Sequence, residues 1–305
     1  MINNLQKNIK NKGFFASNQK IFTEKELSTL TIYIDELFEL NKESLDNSSN
    51  APVIQHLYGR NKKIDYFLEK IVTNNEFKLA FESILGKNYK IWEVSCRNSM
   101  GFDKGLELHS DGKGQMNFVL YLNDQKKPQG VTSLWPRSHL IHRLSDFTSW
   151  RNMIFIWKYF TKPLTAEKGS HFFFLNKTWH GRLAKKNQNI TKALFLSGFS
   201  EGSTMYPIKG SEKYISNVTH IELKRILILD EGIHNTKEGT FYINFSDKKN
   251  NDVPYALYIE KFNILNIIKT ADQYLLLIIL ELILIIPYRI YRLRNLKFIK
   301  NLFNK

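Results

Sequence analysis

His109-Ser110-Asp111, with His180 far downstream in Thr178-Trp179-His180-Gly181, brings together two imidazoles and a carboxylate. Those donors form the facial triad that holds non-haem Fe(II) on one side and leaves the opposite side of the ion open. Residues two apart on an extended chain point the same way. His109 and Asp111 are therefore expected to reach one ion from a single strand. A bare His-x-Asp is common among ordinary surface residues, so the neighbouring segments must carry the case.

Four of those segments resemble, in order, the phytanoyl-CoA dioxygenase (PhyH-like) branch of the Fe(II)/2-oxoglutarate oxygenases. Leu106-Glu107-Leu108-His109-Ser110-Asp111 is similar to the family's proximal metal motif, and Met116-Asn117-Phe118-Val119-Leu120-Tyr121-Leu122-Asn123-Asp124 to the core strand after it. Gly130-Val131-Thr132-Ser133-Leu134-Trp135-Pro136-Arg137-Ser138-His139 resembles the loop ending in Pro-Gly-Ser-His, with Arg137 in place of the glycine. The segment 169–181 looks like the strand, turn and His-Gly that deliver the distal ligand.

The resemblance implies an α+β fold with a mainly β core, a double-stranded β-helix of jelly-roll or cupin type. It also implies Fe(II) on His109, Asp111 and His180, with 2-oxoglutarate and dioxygen as cosubstrates. The implied reaction is hydroxylation of a small molecule coupled to decarboxylation of 2-oxoglutarate to succinate. Asp111 matters here, because related halogenases lose that carboxylate to open a halide site. The family's cosubstrate-anchoring arginine falls on Thr191 and Lys192. Lys192 is the expected anchor and Arg182 the second candidate, although an ammonium lacks the bidentate fork of a guanidinium. Gln115, Asn117 and Tyr121 are further cosubstrate candidates, and Arg97 either faces the pocket or sits in a surface ion pair. Two other classes stay open: a retired barrel acting as a membrane-associated binding module, and a cupin-type metal enzyme that makes no succinate.

The elements that must position these groups follow from periodicity. Thr23 and Glu26 form a capping-box pair ahead of an amphipathic stretch over residues 27–40, and residues 63–85 carry apolar side chains at helical spacing. Residues 1–88 are thus expected as a helical buttress. Residues 89–205 read as the β core, with strands over 89–96, 117–122, 133–135, 170–175 and 192–199. The aromatic stretch 144–159 is expected to pack on the sheet or to wall the substrate. Residues 206–263 read as a sheet extension with strands at 226–229 and 240–245. His139 and His171 read as structural.

Composition sets the outer limits. The chain has 305 residues and a formal charge of +15, which favours anionic ligands or surfaces. Its single Cys96 excludes an internal disulfide and suits a reducing cytosol; alternation around it predicts a packing thiol. Residues 1–13 lack the apolar centre of a secretory signal. Residues 264–305 are expected as an apolar and basic helical segment. Its apolar run, 274–286, contains Glu281 and is short of the about 20 residues needed to span a bilayer. Arg289, Arg292, Arg294, Lys297, Lys300 and Lys305 follow with no acidic residue among them. That pattern predicts a segment on an anionic membrane surface, at the cytoplasmic inner face; nucleic acid is disfavoured because no reader motif accompanies the charge. A helix docked on the barrel or in a dimer is the blander reading.

Overall fold

A computed structural model describes residues 2–45, 51–99, 103–112, 114–141, 158–184, 190–205, 212–227, 233–235, 241–243, 253–259, 263–280 and 282–283. Helix α1 (Ile2–Lys12) passes into strand β1 (Phe14–Ala16) through Gly13, whose φ of +86° suits glycine. A Cβ at Gly13 would lie 2.2 Å from Thr178 Oγ1, so β1 runs directly beneath the turn that presents His180. Helix α2 (Glu24–Leu40) opens on the expected capping box, Thr23 and Glu26 each accepting from the other's backbone N–H.

The helical stretch expected over residues 63–85 is two helices, α3 (Lys62–Val72) and α4 (Asn75–Leu85). Asn74 separates them: its side chain accepts from Glu76 N at 2.9 Å and Phe77 N at 3.3 Å, starting a new helix while the apolar spacing runs on.

Short alternating segments then build two antiparallel sheets. The strands are β2 (Val53–Ile54), β3 (Lys90–Ser99), β4 (Leu106–His109), β5 (Gln115–Tyr121), β6 (Thr132–Leu134), β7 (Lys162–Pro163), β8 (His171–Leu175), β9 (His180–Arg182) and β10 (Thr191–Phe199). One sheet has the order β1-β8-β5-β10-β3-β2 and the other β4-β9-β6-β7. This is the jelly-roll, mainly β architecture with helices against one sheet. Side-chain parity divides the large sheet. Val94, Cys96, Phe118, Leu120, Phe173, Leu194 and Leu196 pack on Ile34, Ile64, Leu68, Phe77 and Phe81 of the helices. Val119, Tyr121, Phe172, Phe174 and Ala193 point the other way, towards Val131 and Leu134 of the small sheet's side. Cys96 is the packing thiol expected; burial pushes its pKa up to about 12.

Beyond the barrel, β11 (Thr204–Met205), β12 (Ile233–Asn235) and β13 (Phe241–Ile243) form a three-stranded sheet, β13 within the strand expected at 240–245. Of the strand expected at 226–229, Ile226 instead ends a helix, Ile221–Ile226, and the extended Leu227 makes an isolated bridge to Ile91; residues 228 and 229 lie outside the described residues. Leu223, Ile226 and Leu227 all bury in the main core, the spacing of a helical turn and not of a strand. Of the aromatic stretch 144–159, residues 144–157 lie outside the described residues.

The carboxy-terminal part contains two short helices, Ile264–Lys269 and Ala271–Leu280. The second lays Leu277 and Tyr274 against Leu108, Trp135, Ile141 and Trp179, on the outer side of the strands that carry the histidines. Glu281 and the six basic residues from Arg289 onward lie outside the described residues.

Candidate metal centre

Strands β4 and β9 pair with His109 opposite His180, which brings the imidazole centroids to 4.4 Å. Strand β4 ends at His109, so Asp111 does not lie on it as expected. The chain has already turned, and Asp111 N donates to Asn176 O at 3.0 Å, folding the carboxylate back towards the rings. Asp111 Oδ1 lies 3.4 Å from His109 Nε2, and its Oδ2 lies 3.2 Å from His180 Nε2. One donor atom from each of the three residues falls within 4.8 Å of the others.

The tautomers follow from the backbone. His109 Nδ1 is 2.7 Å from Glu107 O and His180 Nδ1 is 2.8 Å from Thr178 O. A carbonyl only accepts, so each Nδ1 carries a hydrogen, and in the neutral form of each ring the lone pair is on the inward Nε2. Two lone pairs and a carboxylate facing one another repel unless a cation lies between them, which is the donor set a metal requires.

Around this centre lies a cavity of about 490 Å³ between the two sheets. Of the expected residues, Gln115, Asn117, Arg97 and Arg182 line it together with the triad. Asn176, which sequence reasoning passed over, donates to Gln115 Oε1 at 2.9 Å and lies 3.5 Å from Asp111 Oδ2. Its signal was a polar residue at the turn just before the distal ligand. Trp92 Nε1, Asn117 Oδ1, Asn176 Oδ1 and Arg182 Nη1 are buried in this wall without hydrogen-bond partners among the described residues. A cavity so lined suits a polar ligand.

The cations divide differently from expectation. Lys192 is corrected as the cosubstrate anchor: it sits on the helix-facing side of β10, and its ammonium pairs with Asp35 of α2. Thr191 also stays outside the cavity wall. Arg182 does face the cavity, but Asp103 grips its Nε and Nη2 at 2.6 and 3.0 Å. Asp103 also accepts from Ser99 Oγ and Gly105 N; it escaped sequence reading because nothing local marks it as a partner of Arg182. Tyr121 is corrected from the cavity wall to the small apolar cluster beside it, its ring 5.3 Å from Phe172. Burial raises its pKa. His139 and His171 lie away from the centre, on Lys10 O and Glu76 respectively.

No family model matches the chain, and no curated protein matches it. Solved structures do match. The carbocyclase SnoK from nogalamycin biosynthesis, described as non-heme and alpha-ketoglutarate dependent, aligns with a TM-score of 0.55 at 13% identity. That alignment covers 71% of this chain and 90% of SnoK. HygX from Streptomyces hygroscopicus, solved with nickel and 2-oxoglutarate bound, aligns at 0.54 and 11% identity over 65% of this chain and 86% of its own. EctD from S. alaskensis aligns at 0.52 and 14% identity, covering 64% of this chain and 75% of EctD. The chain shares their fold. The narrower PhyH-like likeness rests on the four sequence segments alone.

Proposed function

We propose that this protein is an Fe(II)- and 2-oxoglutarate-dependent dioxygenase that hydroxylates a small molecule. The observation that carries the reading is the inward-facing Nε2 pair of His109 and His180 closed by Asp111. The fold shared with SnoK and HygX supports it. An iron ion held there supplies dioxygen activation coupled to oxidative decarboxylation of 2-oxoglutarate. The chain's own groups do the positioning. The Glu107 and Thr178 carbonyls fix both tautomers, Asn176, held by Gln115, orients the Asp111 carboxylate, and Asn117 and Arg182 offer unpaired polar atoms to bound cosubstrate. Asp111 fills the third protein position, which favours hydroxylation over halogenation.

Anaerobic addition of Fe(II) and then 2-oxoglutarate is expected to produce the weak visible charge-transfer band of the chelate, and His109→Ala to abolish it. Metal binding without a band would sink cosubstrate use and leave a metal enzyme of other chemistry. Loss of metal binding altogether would leave a binding module.

For the partner, we infer an anionic membrane surface, with a lipid or an envelope-glycan component as substrate class. The two carboxy-terminal helices expose Ile264, Leu265, Ile268, Leu275, Leu276, Ile278 and Ile279, and the basic run from Arg289 follows them in sequence. Exposed apolar side chains followed by a basic run are the pattern of a segment lying in a membrane interface; among the described residues no helix is long and apolar enough to cross a membrane.

A further inference from the structure

The cavity needs a cation for a dicarboxylate, and β10 does not provide one. Its inward positions are Ala193, Phe195 and Ser197, while Lys192 is committed to Asp35 behind the sheet. The pairing of β10 shows what stands in its place. Ala193 is opposite Arg97 on β3 and opposite Tyr121 on β5, so one row across the sheet reads Arg97, Ala193, Tyr121. Arg97 therefore stands beside the small inward residue of β10, on the same face.

Its side chain does not remain on that row. The guanidinium carbon lies 5.1 Å from the centroid of the Phe195 ring, two residues further along β10. That displacement is towards the end where Phe174 meets the His180 ring, since Phe174 pairs with Asn117 and Asn117 with Ser197. Among the described residues the Arg97 guanidinium makes no hydrogen bond or ion pair, whereas Arg182 beside it is neutralised by Asp103. Burial, then the proximity of Arg182, lowers the Arg97 pKa to about 10, against the opposing charges of Glu93 and Asp103.

We propose that Arg97, supplied from the neighbouring strand, anchors the distal carboxylate of 2-oxoglutarate, with the unpaired Nη1 of Arg182 as its helper. This rests on the cosubstrate reading above and assigns a residue to it. The chemistry is a fork-shaped donor meeting a carboxylate, stronger than a lysine point charge. Asp103 then acts as a positioning residue, holding Arg182 so that Nη1 alone is left over.

The test compares two 2-oxoacids on the full-length protein loaded anaerobically with Fe(II), with Kd read from the chelate band and from calorimetry. 2-Oxoglutarate carries the distal carboxylate; 2-oxopentanoate has the same chain length without it. Arg97→Met is expected to weaken 2-oxoglutarate about ten- to a hundredfold, the effect of losing a hydrogen bond between charged groups. The same substitution should leave 2-oxopentanoate and Fe(II) binding unchanged. Arg97→Lys should recover part of the loss, and Lys192→Met should leave 2-oxoglutarate affinity as it was. Equal weakening of both acids by Arg97→Met, or a loss confined to Lys192→Met, overturns the assignment. If Arg97→Met fails to fold, Arg97→Lys with unaltered 2-oxoglutarate preference over 2-oxopentanoate overturns it equally. The absence of any band with either acid in the metal-loaded wild type would instead mark failure of the cosubstrate reading itself.

Discussion

His139 is fully buried at the loop following β6, with Nε2 3.1 Å from Lys10 O and Nδ1 unpaired among the described residues. Burial, reinforced by the charge of Lys177, pushes its pKa from 6.5 down to about 4, against the opposing effect of the Lys10 hydrogen bond. The sign follows from proton counting. Between these values the unfolded chain holds a proton that the folded protein lacks, so falling pH favours unfolding. The contribution is fully present above about pH 6.5 and lost as pH falls towards 4, by about 3 kcal/mol at most. Carboxylates with lowered pKa, Asp103 and Glu76, lose their contribution only at lower pH. Urea unfolding at pH 7.5 and 5 should show the wild type losing stability and His139→Gln losing markedly less. A pH dependence unchanged by the substitution would remove His139 as its source.

At the scale of elements, junctions matter more than interiors. Asn74 ends one amphipathic run and starts another, and Asn74→Ala should lower unfolding free energy by about 1 kcal/mol, measured by urea titration. A negligible change would mean the α3–α4 break is held by packing and not by the cap. Arg137 marks another junction. It stands where the resembling loop has glycine and takes a φ of +68°, a conformation costing a non-glycine residue about 1 kcal/mol or more. Its fork meets Asp272 at 2.6 and 3.2 Å and the Lys269 carbonyl at 3.1 Å, tying the barrel loop to the last described helices. The strained residue therefore joins the barrel to the proposed membrane face.

For the whole molecule, the charge of +15 and the exposed apolar side chains predict the same behaviour. The protein should sediment with phosphatidylglycerol vesicles and less so as salt rises, because counterions screen the basic groups. Leu275→Gln with Ile279→Gln alters exposed positions and leaves the buried Leu277 in place, so it should weaken binding without unfolding the barrel. Equal sedimentation with neutral phosphatidylcholine vesicles, or binding indifferent to the double substitution, would dismiss the membrane partner.

Local chemistry was legible in the residues themselves. The ligand types of His109, Asp111 and His180 are fixed by residue identity, and the Thr23 capping box and the alternation of the long strands depend on near neighbours along the chain, so all were readable from residue order. Asn74 was legible in principle but masked by apolar spacing that continues across it. What the tertiary structure alone decided was facing and partnership. Alternation separates Lys192 from Ala193 but does not say which side holds the cavity. That is set by pairing with β3 and β5 and by α2, whose Asp35 claims the lysine. Asp103 meeting Arg182, Asn176 meeting Asp111 and Arg97 standing opposite Ala193 are contacts between residues distant in the chain. Each exists because sheet register brings two strands or their loops together, a condition that residue order alone does not express.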